Sequence, residues 1–364
     1  MSFFDNITKM FNKKESDKVL GIDIGSSSIK LVQLSRKKGI AVLDTFGEIS
    51  LSIYSGKKIG QPVSLSTDKL TEALSDVIKE SQASANDAAF AIPLKSTLMF
   101  NLKIPRTVEK VKLGDMIKIE ARKYIPVPIT EVQMDWSILP TFNVAEQPQK
   151  KEDENYEILV VAIHKETLGK YGKIASSIGL NVKFLEVETF SAIRSLVKYQ
   201  KDTVAIVDIG ASVTKLYVIE LGIIRKSYII NIGSSRMTDY LNTNQVIKKK
   251  DIAGEVASLM REMNQGYKSP GDTPTDLVRI VNEVQKNLLS YQKNNNKNVP
   301  ALILTGGGIL SEKVKDYFKE KMSLEVKIGD PFSRVENPAF LDNALKTAGA
   351  TFSVAVGIAL RGLK

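Results

Sequence analysis

The chain has 364 residues, 43% hydrophobic and 25% charged, an ordinary globular composition with length enough for two domains, each with its own core. It carries no cysteine, which excludes disulfides, thiol nucleophiles and thiolate zinc sites, and one histidine, His164, which no metal-ligand spacing surrounds. The 51 Lys and Arg against 41 Asp and Glu give +10, but the lysines are scattered in short runs such as Lys248-Lys249-Lys250, so no nucleic-acid partner is expected.

No uninterrupted apolar run approaches the roughly 20 residues that cross a bilayer, and the N-terminus lacks a signal-peptide core, so a cytoplasmic chain is expected. Residues 1–18 stand apart. Phe3, Phe4, Ile7, Met10 and Phe11 fall on one helical face and a polar linker follows, leaving membrane, partner or the chain's own surface as alternatives for residues 3–11. Three strands are expected next, over 19–22, from about 28, and over 39–51. A helix over 67–82 and a buried strand over 88–92 complete a β-β-β-α-β unit. A second unit starts near Thr97, with a strand to Ile104, a helix over 108–124 and a strand over 132–139. A polar stretch over 143–155 reads as a loop. Strand 156–163, helix 165–178, strand 182–187 and helix 189–199 come after it.

The second half repeats the theme, with strands over 204–207, 215–219 and 223–230 and helices around 235–241 and 252–263. A Gly- and Pro-containing loop then leads into a long helix over 275–293. Strand 299–304 closes on Thr305-Gly306-Gly307-Gly308, and 350–360 is a small-residue apolar helix whose Gly357 permits close packing.

The most specific feature is an internal repeat. Asp23-Ile24-Gly25-Ser26-Ser27-Ser28-Ile29-Lys30-Leu31 returns as Asp208-Ile209-Gly210-Ala211-Ser212-Val213-Thr214-Lys215-Leu216 with Asp, Ile, Gly, Ser, Lys and Leu in register. Each copy reads as strand, tight turn, strand. Small residues at such a turn let consecutive N–H groups face an anion, and the carboxylate at the strand end suits a hydrated Mg²⁺. Two facing hairpins would clamp one polyphosphate, and the late TGGG turn would let backbone approach a sugar or ring. A duplicated β domain without nucleotide is the plainer alternative.

This set of turns resembles the actin, Hsp70 and sugar-kinase superfamily of ATP-binding proteins, with 23–30 and 208–214 as its phosphate motifs, 305–310 as its adenosine motif and 354–360 as its closing helix. The segment Glu120-Ala121-Arg122-Lys123-Tyr124-Ile125-Pro126-Val127-Pro128 through Glu131-Val132 to Asp135-Trp136 resembles the signature of the PilM family of type IV pilus assembly proteins. The resemblance covers residues 19–361. It implies an α/β fold of actin-like, ribonuclease H-like type, duplicated, with a small SHS2-like α+β subdomain inserted in the first domain as in FtsA. The implied division is 19–96 and 164–200 for the first domain, 97–163 for the insert, 201–338 for the second domain with a helical insertion about 233–298, and 339–364 for a connector returning to the first.

The resemblance further implies ATP and Mg²⁺ as cofactors. Asp23 and Asp208 would face the metal through water. Gly25, Ser26, Ser27 and Lys30 would meet the β/γ-phosphates, and Gly210, Ser212 and Thr214 would close the other side. Gly306, Gly307 and Gly308 would border adenosine, and Glu283 would touch ribose or adenine. Glu188, or with less support Glu186, is the candidate to orient water for hydrolysis, although a glutamate there equally suits a helix start. Whether ATP is turned over slowly stays open. The implied function is an ATP-binding scaffold of the pilus assembly platform, peripheral to the inner face of the cytoplasmic membrane. It would bind the N-terminal cytoplasmic peptide of a PilN-like inner-membrane protein, with other platform proteins and assembly ATPases as further partners. An FtsA-like division protein and a small-molecule kinase are the alternatives.

Overall fold

A computed structural model describes residues 17–140, 154–198, 203–238 and 274–363. The amphipathic segment at 3–11, the helix expected over 252–263 and most of the polar stretch over 143–155 lie outside the described residues.

The first sheet has the order β3-β2-β1-β4-β8. It comprises β1 (Lys18–Ile24), β2 (Ser28–Lys37), β3 (Ile40–Ser50), β4 (Asp87–Ile92) and β8 (Asn181–Val187). β1 pairs antiparallel to β2 and parallel to β4, so it is an interior strand, and its apolar run is buried on both faces, Leu20 and Ile22 in one cluster and Val19 in another with Ala355 and Ala359 of the last helix. α1 (Thr67–Glu80) lies over this sheet. Ser66 starts it by accepting a hydrogen bond from the Lys69 N–H at 3.3 Å, and Leu70, Ala73, Leu74 and Val77 form its buried stripe.

The second sheet, β11-β10-β9-β12-β13, has the same arrangement. β9 (Thr203–Ile209), β10 (Thr214–Glu220) and β11 (Ile223–Ile230) form its antiparallel half; β12 (Ala301–Thr305) and β13 (Glu325–Ile328) pair parallel beyond β9. The sequence repeat is thus a repeat of topology. One buried cluster unites the two halves, joining Leu20, Ile22, Leu31 and Phe90 with Ile206, Tyr217, Ile219 and Ile303.

Between β4 and β8 the chain builds a three-stranded antiparallel sheet, β5 (Thr97–Pro105), β7 (Asn155–His164) and β6 (Val132–Ile138), with β7 in the centre. α2 (Lys110–Ala121) covers it with Leu113, Ile117 and Ala121, packed among Leu102, Ile104, Ile158 and Val160. The helix stops short of Pro126, where the residue before a proline is pushed out of helical geometry. His164 ends β7, half-exposed, with Nε2 at 3.9 Å from Glu131 Oε2. Among the described residues no cluster of three His, Asp or Glu is arranged to hold a metal alone.

α3 (Lys165–Ser177) and α4 (Glu188–Leu196) flank β8, and α6 (Thr275–Asn295) packs on the second sheet, preceded by a short α5 (Ser235–Thr238). The stretch after TGGG, unassigned from sequence, holds α7 (Glu312–Lys321), β13 and α8 (Asp342–Ala348). α9 (Ser353–Gly362) follows a 3-10 turn over Gly349–Phe352. Residues 339–362 are apolar enough by length and composition to cross a membrane, but 72% of the most apolar 18-residue stretch within them is buried inside the protein, as befits a core helix. α9 crosses the first sheet closely enough that Gly21 and Gly357 have no room for a side chain. A Cβ on Gly21 would lie 2.8 Å from the Ala359 nitrogen, and one on Gly357 would enter the Ser191 backbone of α4.

Candidate functional site

The two repeated turns share their strand register and the hydrogen bond that closes them. Asp23 pairs with Lys30 across β1 and β2, and Asp208 with Lys215 across β9 and β10. The Gly25 N–H donates to Ser28 O at 3.0 Å, and the Gly210 N–H donates to Val213 O at 3.0 Å. In the first turn the carbonyls of Ser26 and Ser27 accept from the N–H groups of Val63 (2.8 Å) and Leu51 (2.9 Å). Peptide bonds here are trans, so the Ser27 and Ser28 N–H groups point the opposite way. The second turn is anchored one position earlier in the repeat. The carbonyls of Gly210 and Ala211 accept from Ser234 (2.9 Å) and Ser235 (3.0 Å), which turns the Ala211 and Ser212 N–H groups outward. Gly233 lets this anchoring loop press on the turn, since a Cβ there would meet the Ser212 carbonyl carbon at 2.5 Å. Thr214, fully buried, donates its hydroxyl to Ile232 O at 2.8 Å, so it braces the turn from behind.

Five charged side chains meet between the turns. Asp23 is half-buried, and burial, reinforced by the nearby Glu188 carboxylate, pushes its pKa up to about 6 against the opposing pull of Lys30 and Lys215. Asp208 on the second sheet also raises the pKa of Asp23, and its neighbour Lys215 touches Glu188 of the first half, so the two turns border the same charged group. Lys215 Nζ donates to Glu188 Oε2 at 2.6 Å and to Asp208 Oδ2 at 3.0 Å. Burial opposes the Lys215 charge, but Asp208 and Glu188 outweigh it and hold the pKa well above its ordinary value. Lys30 goes elsewhere, to Glu48 Oε1 at 2.9 Å and Ser28 Oγ at 2.8 Å. Glu188 opens α4, and its Oε1 accepts the Leu94 N–H at 2.6 Å, so both its oxygens are engaged.

Glu186 is not part of this group. It faces Arg194 at 2.6 Å and Arg361, and accepts the Ser191 hydroxyl at 2.7 Å. Burial opposes its charge, yet the two arginines hold its pKa down at about 2.

The TGGG turn meets the second hairpin directly. Thr305 pairs with Asp208 across β12 and β9. Gly306 has φ +89°, and a Cβ there would strike the Asp208 carboxylate and lie 2.7 Å from Ile209 O. Gly308 abuts the Ile209 side chain, where a Cβ would lie 2.9 Å from Ile209 Cβ, while a Cβ on Gly307 would meet open space. Two of the three glycines are therefore explained by packing, and Gly307 is the one with room in front of it. The Thr305 hydroxyl donates to Ala350 O at 2.6 Å, tying this turn to the start of α9. Glu283 sits half-exposed on α6, and its carboxylate pairs with Lys286 on the same helix at 3.7 Å.

Sequence reasoning assigned no role to Lys215, Glu48 or Tyr171. Lys215 was visible as the register partner of Lys30. Glu48 required the β2–β3 register that sets it opposite Lys30. Tyr171 of α3 lies beside the carboxylates; burial, with Asp23 and Glu188, raises its pKa.

A sequence model of the family described as "Type IV pilus assembly protein PilM" matches residues 21–363. Among solved structures the chain is similar to a "PilM-PilN type IV pilus biogenesis complex" at 19% identity, over 96% of this chain and 100% of that one, with a TM-score of 0.73. It is also similar, at 17% identity over 97% of this chain and 93% of that one, to the ethanolamine utilization protein EutJ from Carboxydothermus hydrogenoformans, with a TM-score of 0.47.

Proposed function

Since the chain belongs to the PilM family of type IV pilus assembly proteins and has the duplicated actin-like fold, we propose that it is an ATP-binding scaffold of the pilus inner-membrane platform. The observation that carries the nucleotide reading is the pair of register-equivalent hairpins, each with outward N–H groups and a terminal aspartate, bordering the same charged group.

The residues fit the group they would hold. Mg²⁺ keeps most of its waters and is bound through one or two carboxylates and the phosphates, which is what Asp23 and Asp208 offer. Burial, reinforced by Glu188, raises the pKa of Asp23, and a divalent cation beside it would favour its charged form. Bound Mg²⁺ would also neutralise phosphate charge between the hairpins. The Ser27, Ser28, Ala211 and Ser212 N–H groups would hold phosphate oxygens from both sides, and Gly307 leaves space for the nucleoside. Glu283 on α6 is the proposed ribose or adenine contact. Glu188 can orient water only after releasing Lys215, which favours slow turnover over rapid catalysis.

The proposed division follows the sheets, with 19–96 and 164–200 around the first, 201–338 around the second, and 97–163 as the insert. The insert is the proposed seat of the partner, the cytoplasmic N-terminal peptide of a PilN-like protein, on the inner face of the membrane. β5 and β6 are edge strands suited to strand addition, and Tyr124, 53% exposed and stacked on Phe100 at 4.9 Å between centroids, offers an aromatic anchor. Titrating the N-terminal peptide of the same organism's PilN-like protein into the full chain tests the proposal. Saturable binding weakened at least about tenfold by Tyr124→Ala is expected, on the usual scale of an aromatic anchor. No binding by the wild type would overturn the assignment.

A further inference from the structure

The duplication that repeats the strand register of the two hairpins leaves their equivalent lysines with different partners. Lys30 and Lys215 occupy equivalent positions, each opposite its own aspartate. On the other side, β3 places Glu48 opposite Lys30, whereas β11 places Ile229 opposite Lys215. Cross-strand neighbours on one face of a sheet lie about 5 Å apart, near enough to capture a lysine head group. Glu48 does so, drawing Lys30 to 2.9 Å. Ile229 has no charge to offer, and Lys215 instead reaches over Asp208 to Glu188 at the start of α4 on the first sheet.

We infer that Lys215 is a built-in cation that pins the two halves together across the cleft through Glu188 and Asp208, and that an arriving hydrated divalent cation must displace it from Asp208. The ammonium is nearly buried, with 13% of its side chain exposed, and its two carboxylates are 8% and 9% exposed. Removing one partner of such a group leaves the others uncompensated. Lys215 thereby serves as the resident counter-ion of the metal position, and its departure frees Glu188, so entry of the metal and unlocking of the α4 end are one event. Lys215 is a positioning residue in this scheme. The inference rests on the cleft being a nucleotide site.

The experiment uses the full chain and Mg²⁺ alone, compared with NaCl at equal ionic strength, reading the thermal unfolding midpoint. Wild type should shift by less than about 1 °C, because its own lysine holds the position. Lys215→Met should gain about 2 °C or more, as expected for a ligand near ten times its Kd. Ile229→Glu tests the same idea without touching the site. Ile229 is 40% exposed on an edge strand, and a glutamate there would recreate the Lys30–Glu48 arrangement and draw Lys215 aside. This variant should also gain a Mg²⁺ response, and it carries the test if Lys215→Met does not fold. Folded variants that respond no more than wild type would overturn the inference, as would a wild type that responds as strongly as Lys215→Met. Failure of wild type to bind Mg-ATP would instead strike the nucleotide reading, and leave the response to metal alone as measured.

Discussion

Arg361 on the last helix donates to Glu186 at the end of β8, 175 residues earlier in the chain. Arg194 of α4 completes the cluster with hydrogen bonds to Glu186 at 2.6 and 2.7 Å and to Gly357 O at 3.0 Å. One carboxylate therefore fastens α4 and α9 to the first sheet. Glu186→Gln leaves two arginines facing a neutral amide and should destabilise the fold by about 3 kcal/mol, read by urea unfolding. The pH dependence has a definite sign. Folding lowers the Glu186 pKa from 4.5 to about 2, so its contribution is present above 4.5 and is lost as the pH falls from there toward 2. The variant should lose that part of the acid slope.

The three glycines of the TGGG turn should separate by experiment. Gly306→Ala forces a side chain into the Asp208 carboxylate at a positive φ, and should cost on the order of 2 kcal/mol. Gly307→Ala meets open space and should change stability by less than about 0.5 kcal/mol. Gly307→Leu should leave unfolding nearly unchanged but weaken ATP binding by filling the space in front of the turn. Thermal melts and calorimetric titration of the variants check both expectations.

Arg225 of β11 links the second sheet to the insert. It pairs with Glu220 at 3.1 Å on its own sheet, and reaches Glu157 of β7 at 3.3 Å and Pro140 O at 3.1 Å. Glu157 keeps 34% of its side chain exposed, so solvent screens the pair. A double-mutant cycle with Arg225→Ala and Glu157→Ala should give a coupling below about 1 kcal/mol that shrinks in high salt. A zero coupling at low salt would mean that the insert and the second sheet are not joined there.

Much of the fold was legible because the two halves are built of long apolar strands with clear turns; β11 runs over Ile223–Ile230 as expected. What escaped was weakly patterned. α7, Glu312–Lys321, is mostly charged and buries only Val314 and Phe318, and β13 is a four-residue edge strand with no buried residue. In the site, the aspartates, serines and glycines of the turns could be found by matching the repeat to itself. The division of labour between Lys30 and Lys215 could not, because it depends on what a third strand sets opposite each of them. Thr214 likewise read as a ligand group, and its hydroxyl turned out to be committed to Ile232. Glu186 and Glu188 differ by two positions in sequence, yet one is claimed by arginines and the other by Lys215 and a backbone N–H.

The central claim is that the two hairpins close on one Mg-nucleotide, and Asp23 and Asp208 test it most directly. Thermal unfolding with and without millimolar Mg-ATP should show a midpoint rise of several degrees for the wild type, as mass action requires of a ligand that binds only the folded state. Asp23→Ala and Asp208→Ala should each lose most of that rise. If both folded variants are stabilised by Mg-ATP as strongly as the wild type, the nucleotide is not held between these turns.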